Sequence, residues 1–156
     1  MKLNRLVLLS IVSSLIAVAP ISAAIAQQAT VQTVAQSQPV AIATGTFVAG
    51  EAPTTGTARI VTVDGHHYLE LDAAFSTSNM GPDLHVLLDS NQPPQSYENL
   101  GGTVNLGSLS EFSGTQLYPI PDAIDVANYG SVVIWCRMAN ATFGYAQLNP
   151  VRGASL

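Results

Sequence analysis

Beyond residue 2 this chain contains no lysine, and its basic complement is Lys2 and four arginines. Cysteine occurs once, at Cys136, and charged residues make up only 10% of the 156. Each shortage excludes something. With so few cations, no basic patch is available to neutralise phosphates, so nucleic acid and anionic membrane surfaces are poor partners. One thiol cannot close an intramolecular disulfide, so the fold must stand on packing alone. There is no C-x-x-C or H-x-x-x-H spacing to suggest a metal site, and no Asp-x-Asp-x-Asp loop to suggest calcium. The acidic residues are spread singly, without a pair placed as general acid and base, and no Gly-x-Ser-x-Gly elbow occurs. A hydrolytic enzyme is therefore the weakest reading of this sequence.

The first 26 residues have the layout of a secretory signal peptide. Lys2 and Arg5 form a short positive region, Leu6 to Ala19 an apolar run, and Ala24-Ile25-Ala26 a small-x-small cleavage signal. The run is too short for a comfortable membrane span, and no cysteine near the cut offers a lipid anchor. An uncleaved N-terminal anchor is the alternative. Cleavage after Ala26 leaves 130 residues, with three arginines against ten acidic residues and a formal charge of −7. Such a chain is expected to be secreted, periplasmic or at the cell surface, with no stable membrane insertion after cleavage. Its length suffices for one domain with a real core. Residues 27–43, rich in Gln, Thr, Ala and Ser, read as a flexible leader, with a strand at Val31–Val34 as the alternative. The domain is expected over 44–149 and a tail over 150–156.

Within the domain, short β-prone runs alternate with turn residues and no helical period is sustained. The clearest unit is Ala58 to Val63, then Asp64-Gly65, then His66 to Leu71. Asp-Gly between two alternating runs predicts a two-residue hairpin, because both turn positions need positive φ. Its register sets Ile60 opposite Leu69 and Arg59 opposite Glu70, with Ala58, Ile60, Leu69 and Leu71 on a core face. Further strands are expected at Leu84–Leu88, at Val104 and Leu106 up to Gly107, at the edge from Gly114 to Pro121, and at Phe143–Leu148. Residues 91–99, with Pro93-Pro94, read as a surface connection. The pattern predicts an all-β fold, a single antiparallel β-sandwich or Greek-key barrel-like domain.

Gly130 to Arg137 is the most apolar run after the N-terminal segment and holds both the only tryptophan and the only cysteine. Val132 to Trp135 are β-branched or aromatic, as in a central strand buried on both faces. Alternation puts Val132, Ile134, Cys136 and Met138 on one side, with Ser131, Val133, Trp135 and Arg137 on the other. Cys136 is then either a small buried hydrophobe or a redox thiol or thiolate ligand. The three histidines add little. His66 and His67 point to opposite faces, so one metal ion would need His85 or Cys136 to converge on one of them.

Several segments taken together resemble the DM13 family over residues 45 to 148. They are Gly45-x-Phe47, Gly56-Thr57-Ala58, Phe75, Asn79-x-Gly81-Pro82-Asp83-Leu84-x-Val86-x-Leu88, Val104-x-Leu106-Gly107-x-Leu109, Gly114-x-Gln116-x-Tyr118 with Pro121, Tyr129-x-Ser131 to Cys136, and Phe143-Gly144-x-Ala146-x-Leu148. The Gly-Pro-Asp-Leu and Val-Ile-Trp-Cys segments are the specific ones. The family's usual basic-Phe-Ser context after the cysteine is here Arg137-Met138-Ala139-Asn140. The resemblance implies a small β-sandwich-like domain with one hallmark cysteine, here Cys136. It also implies extracytoplasmic electron transfer with a redox partner protein, the thiol acting bare or as ligand to a prosthetic group such as haem. A second haem ligand would have to come from His67, His85, Met80 or Met138. The competing expectation is an extracytoplasmic binding or adhesion module whose cysteine is structural.

Overall fold

The Asp64-Gly65 turn forms as its residues require, with φ of 51° and 84°. It joins two strands whose ladder pairs Ile60 with Leu69 and Arg59 with Glu70. The computed structural model describes residues 38–91 and 101–153. The expected signal peptide, the leader up to residue 37 with its alternative strand, most of the 91–99 connection and residues 154–156 lie outside them.

In chain order the strands are β1 (Val40–Ala49), β2 (Thr54–Thr55), β3 (Thr57–Val63), β4 (His66–Leu71), β5 (Ser76–Thr77), β6 (Leu84–Asp89), β7 (Thr103–Ser108), β8 (Gln116–Pro119), β9 (Ser131–Cys136), β10 (Ala141–Gln147) and β11 (Asn149–Pro150). A single 3-10 turn at Val126–Asn128, capped by the Asp125 side chain, precedes β9. Nine strands make one antiparallel, nearly closed, barrel-like sheet in the order β7-β6-β9-β10-β1-β3-β4-β8, with β11 pairing β1. The expected all-β antiparallel architecture is the one found, in its barrel-like form. β2 and β5 pair separately.

Strand β1 begins at Val40, four residues inside the stretch read as leader, and Pro150, read as tail, pairs with Ala43. Both extensions follow from hydrogen bonding, because a barrel strand offers amides and carbonyls that a neighbouring segment can satisfy. β1 also turns the corner of the barrel. Its first part pairs β3, with a bulge between Ala41 and Ala43, and its last three residues pair β10. Gly107 does not end its strand. It lies within β7, at a register shift opposite Val86 and Leu87, where a bulge uses its positive φ of 126°.

The core lies inside the barrel. Ala58, Ile60, Leu69 and Leu71 are wholly inaccessible, which fixes the hairpin's inner face. Its outer face is drier than alternation implies. Val61 is buried between its ladder partners Ala41 and Tyr68, while Arg59 and Glu70 form an ion pair of 3.0 Å at the surface. The ends of the sheet approach one another through side chains. The Tyr118 hydroxyl donates to Gln116 Oε1 at 2.7 Å and accepts from the Ser110 amide at 3.0 Å.

Two glycines give contrasting tests of this backbone. At Gly65 a Cβ would meet no atom within 4 Å, so only its positive φ is at stake. At Gly56, with φ of 97°, a Cβ would lie 2.4 Å from the Phe75 Cα. Gly65→Val is expected to destabilise by about 1 kcal/mol or more through strain alone. Gly56→Ala adds a clash and is expected to cost about 2 kcal/mol or more. Urea unfolding of the two variants checks both the magnitudes and their order.

Candidate functional site

Strand β9 is buried at all six positions, as a strand packed on both faces should be. It is bonded to β6 on one side and β10 on the other, and Cys136 is its last residue. Its ladder partners are Leu84, the first residue of β6, and Ala141, the first of β10. Three strand ends therefore meet at the thiol. Alternation turns Val132, Ile134 and Cys136 into the barrel core, where Cys136 has no accessible surface. Val133 and Trp135 form an outer cluster with Leu87 and Tyr145.

Met138 does not share the inner face with Cys136. The strand ends at Cys136, residues 137–140 form a turn, and Met138 is 74% exposed. The period-2 rule stops where the ladder stops. Met80 is exposed as well, on the loop that leads to β6.

The same end of the sheet carries a polar network on its outer face. Asp83, just before β6, accepts from Arg137 Nε through Oδ2 at 2.7 Å and meets His85 Nε2 through Oδ1 at 2.9 Å. The Arg137 amide also donates to the Asp83 carbonyl at 2.9 Å, extending the β6–β9 ladder by one rung. Asn105 Oδ1 accepts from the Gly107 amide at 2.9 Å, and the Asn105 side-chain amide meets His85 Nδ1, with Nδ2 at 3.2 Å and Oδ1 at 3.3 Å. The Trp135 ring lies beside His85, centroids 6.3 Å apart, and its Nε1–H donates to Asn140 Oδ1 at 3.1 Å. Asn140 holds the turn with a positive φ of 48°. Among the described residues no buried side-chain nitrogen or oxygen lacks a partner.

Arg137 is the main cause of a lowered Asp83 pKa. Partial burial opposes the shift, and the His85 hydrogen bond and the charges of both partners assist it. At the start of β4, His66 is held above its ordinary 6.5, first by the Asp122 hydrogen bond at 2.9 Å.

The three histidines do not converge. His66 meets Asp122, His67 meets Thr62 Oγ1 at 3.0 Å, and His85 is enclosed in its own network. Among the described residues no group of three or more His, Cys, Asp or Glu side chains is placed to hold a metal ion. Two surface cavities stand apart from the thiol. One of about 270 Å³ lies at the opposite end of β9, lined by Val126, Tyr129, Gly130 and Leu148 among others. The other, of about 290 Å³, is lined by His66 to Tyr68 and Pro119 to Asp122.

These positions do not fit a haem ligated by Cys136. The sulfur is enclosed in packed core, and neither cavity includes it. Of the four residues available as second ligand, Met80 and Met138 point to solvent. His85 has both ring nitrogens engaged on the opposite face of the sheet, and His67 lies on β4.

Fold and site together define a small antiparallel β-barrel with one thiol sealed at the end of its most buried strand. The family model described as Electron transfer DM13 matches residues 46–148, about two thirds of the chain. The chain belongs to the DM13 family. Neither the curated proteins nor the solved structures compared with it gave a match. No helix among the described residues is long and apolar enough to cross a membrane.

The Asp83 network was not read from the sequence as a unit, although the Gly-Pro-Asp-Leu segment that carries it was singled out. A signal existed. Asp83 and His85 alternate, as do Trp135 and Arg137, but only the pairing of β6 with β9 brings the two sets together.

Because folding lowers the Asp83 pKa below its ordinary 3.8, its contribution to stability is complete above that value. It is lost as pH falls through the folded pKa. Acid titration of stability from about pH 5 to 2 should therefore fall less steeply in Asp83→Asn than in the wild type.

Proposed function

We propose that this protein is an extracytoplasmic electron-transfer module that acts with a redox partner protein, and that Cys136 is the residue its redox chemistry depends on. The match to the electron-transfer family over residues 46–148 carries this reading. Cys136 is the chain's only thiol, and it stands at a strand end, where local opening is least costly. The thiol acts bare, giving one electron to an oxidised partner as its proton leaves. Full burial keeps it from indiscriminate oxidation outside the cytoplasm, since oxidation follows exposure and thiolate character. Export is supported by Lys2 and Arg5, the apolar run to Ala19 and the Ala24-Ile25-Ala26 signal, with maturation after Ala26.

A second reading is favoured by the burial itself. A thiol with no accessible surface inside an apolar cluster is ordinary core material. The protein is then a binding or adhesion module in which Cys136 only packs.

Cys136→Ala separates the two. It removes one sulfur's contacts, at a cost of about 1 kcal/mol, and leaves a folded barrel. Electron exchange with chemical or protein mediators should be lost in this variant if the thiol is the redox group. Unchanged exchange would leave the packing role. For export, N-terminal sequencing of protein from its native host should begin at Gln27, and an intact Met1 on cytoplasmic protein would contradict the assignment.

A further inference from the structure

We infer that Asp83 is the positioning residue that sets access to Cys136: its carboxylate clasps Arg137 and His85, holds the leading end of β6 against the trailing end of β9, and on release lets the thiol open without unfolding the barrel. The biological meaning of this access rests on the redox reading of Cys136, but the clasp can be tested without it.

The Leu84–Cys136 rung is the last of the β6–β9 ladder, and one backbone bond follows it, from the Arg137 amide to the Asp83 carbonyl. Strand ends open first because few hydrogen bonds must break to free them. The chain before Asp83 adds little backbone bonding of its own. Pro82 has no N–H to donate. Gly81 packs closely, since a Cβ there would lie 2.5 Å from the Leu84 side chain and 2.8 Å from the Phe143 ring. That contact lays the Gly81 segment over Leu84 and Phe143, which both belong to or pack against the cluster holding the thiol.

What ties this segment down is the Asp83 carboxylate. One oxygen reaches across to Arg137 just beyond β9, the other holds His85 of its own strand β6 and so fixes the carboxylate's direction, and the Asp83 side chain is 16% exposed. The His85 bond is nearly buried, with 8% of that side chain exposed, whereas Arg137 is 61% exposed. Water therefore screens the arginine side more than the histidine side. Asp83 faces outward and Cys136 inward, so the carboxylate acts through the strand end and not by touching the sulfur. Beyond Cys136 the turn hangs from Trp135 through Asn140, and the next strand, β10, begins at Ala141. Freeing Asp83 releases the β6 side of the thiol, while β10 stays paired to β9 on the other.

The sole cysteine makes thiol labelling a single-site measurement. Labelling of Cys136 is followed with a small thiol reagent in wild type, Asp83→Asn and the charge-conserving Asp83→Glu. Amide exchange at Ile60 and Leu69, in the remote hairpin, is measured in the same samples. Asp83→Asn is expected to label about tenfold faster or more, at a rate independent of low denaturant, with protection at Ile60 and Leu69 unchanged. Asp83→Glu should return labelling to within about threefold of wild type, because the charge is restored. Labelling unchanged in Asp83→Asn, or faster only in step with lost protection at Ile60 and Leu69, overturns the inference. Failure of the redox reading would show elsewhere, as electron exchange that survives Cys136→Ala.

Discussion

The structure depends on the double pairing of β9. Six consecutive residues with almost no accessible surface cannot lean on water, so each backbone amide and carbonyl must find a partner in β6 or β10. That requirement brings together strands far apart in the chain. It sets Leu84 and Ala141 beside Cys136, and His85 beside Trp135. The order of the rest of the sheet follows outward from this ladder, through β10 to β1 and through β1 to the β3–β4 hairpin.

The same ladder gives its two faces opposite chemistry at one end. Inward, the strand delivers a thiol into packed hydrocarbon, where solvent and oxidants do not reach. Outward, it delivers Arg137 to Asp83 and Trp135 to His85, a network in which every buried polar side chain is satisfied. For an electron-transfer domain this is a tension built into the fold. The chain's only thiol is among its most thoroughly protected residues, and it stands where three strand ends meet.

Electrostatics sharpen the contrast. In a chain with ten carboxylates and five basic residues, Asp83 is engaged by Arg137, and Glu70 by Arg59. The second pair lies at the surface and adds little stability, though it confirms the hairpin register. Asp83 differs because its second oxygen meets a nearly buried histidine, so the ion pair is joined to the core packing around Trp135.

Local rules in the sequence determined the all-β class, the Asp64-Gly65 hairpin with its register, the β9 strand and the face that Cys136 shares with Val132 and Ile134. Each rests on a period of two residues or on a turn that few residue types can make, and such signals are complete within about a dozen positions. Tertiary structure decided what depends on partners distant in the chain. Val40 joins a strand because β3 offers it a ladder, and Met138 leaves the inner face because β9 ends two residues earlier, at Cys136. Gly107 stays within a strand because β6 accommodates a bulge. Asp83, His85, Asn105, Trp135 and Arg137 form one network only after β6 lies between β7 and β9. No local pattern specifies that neighbour order, because it is chosen by the closure of the whole sheet and the joint burial of its inner faces.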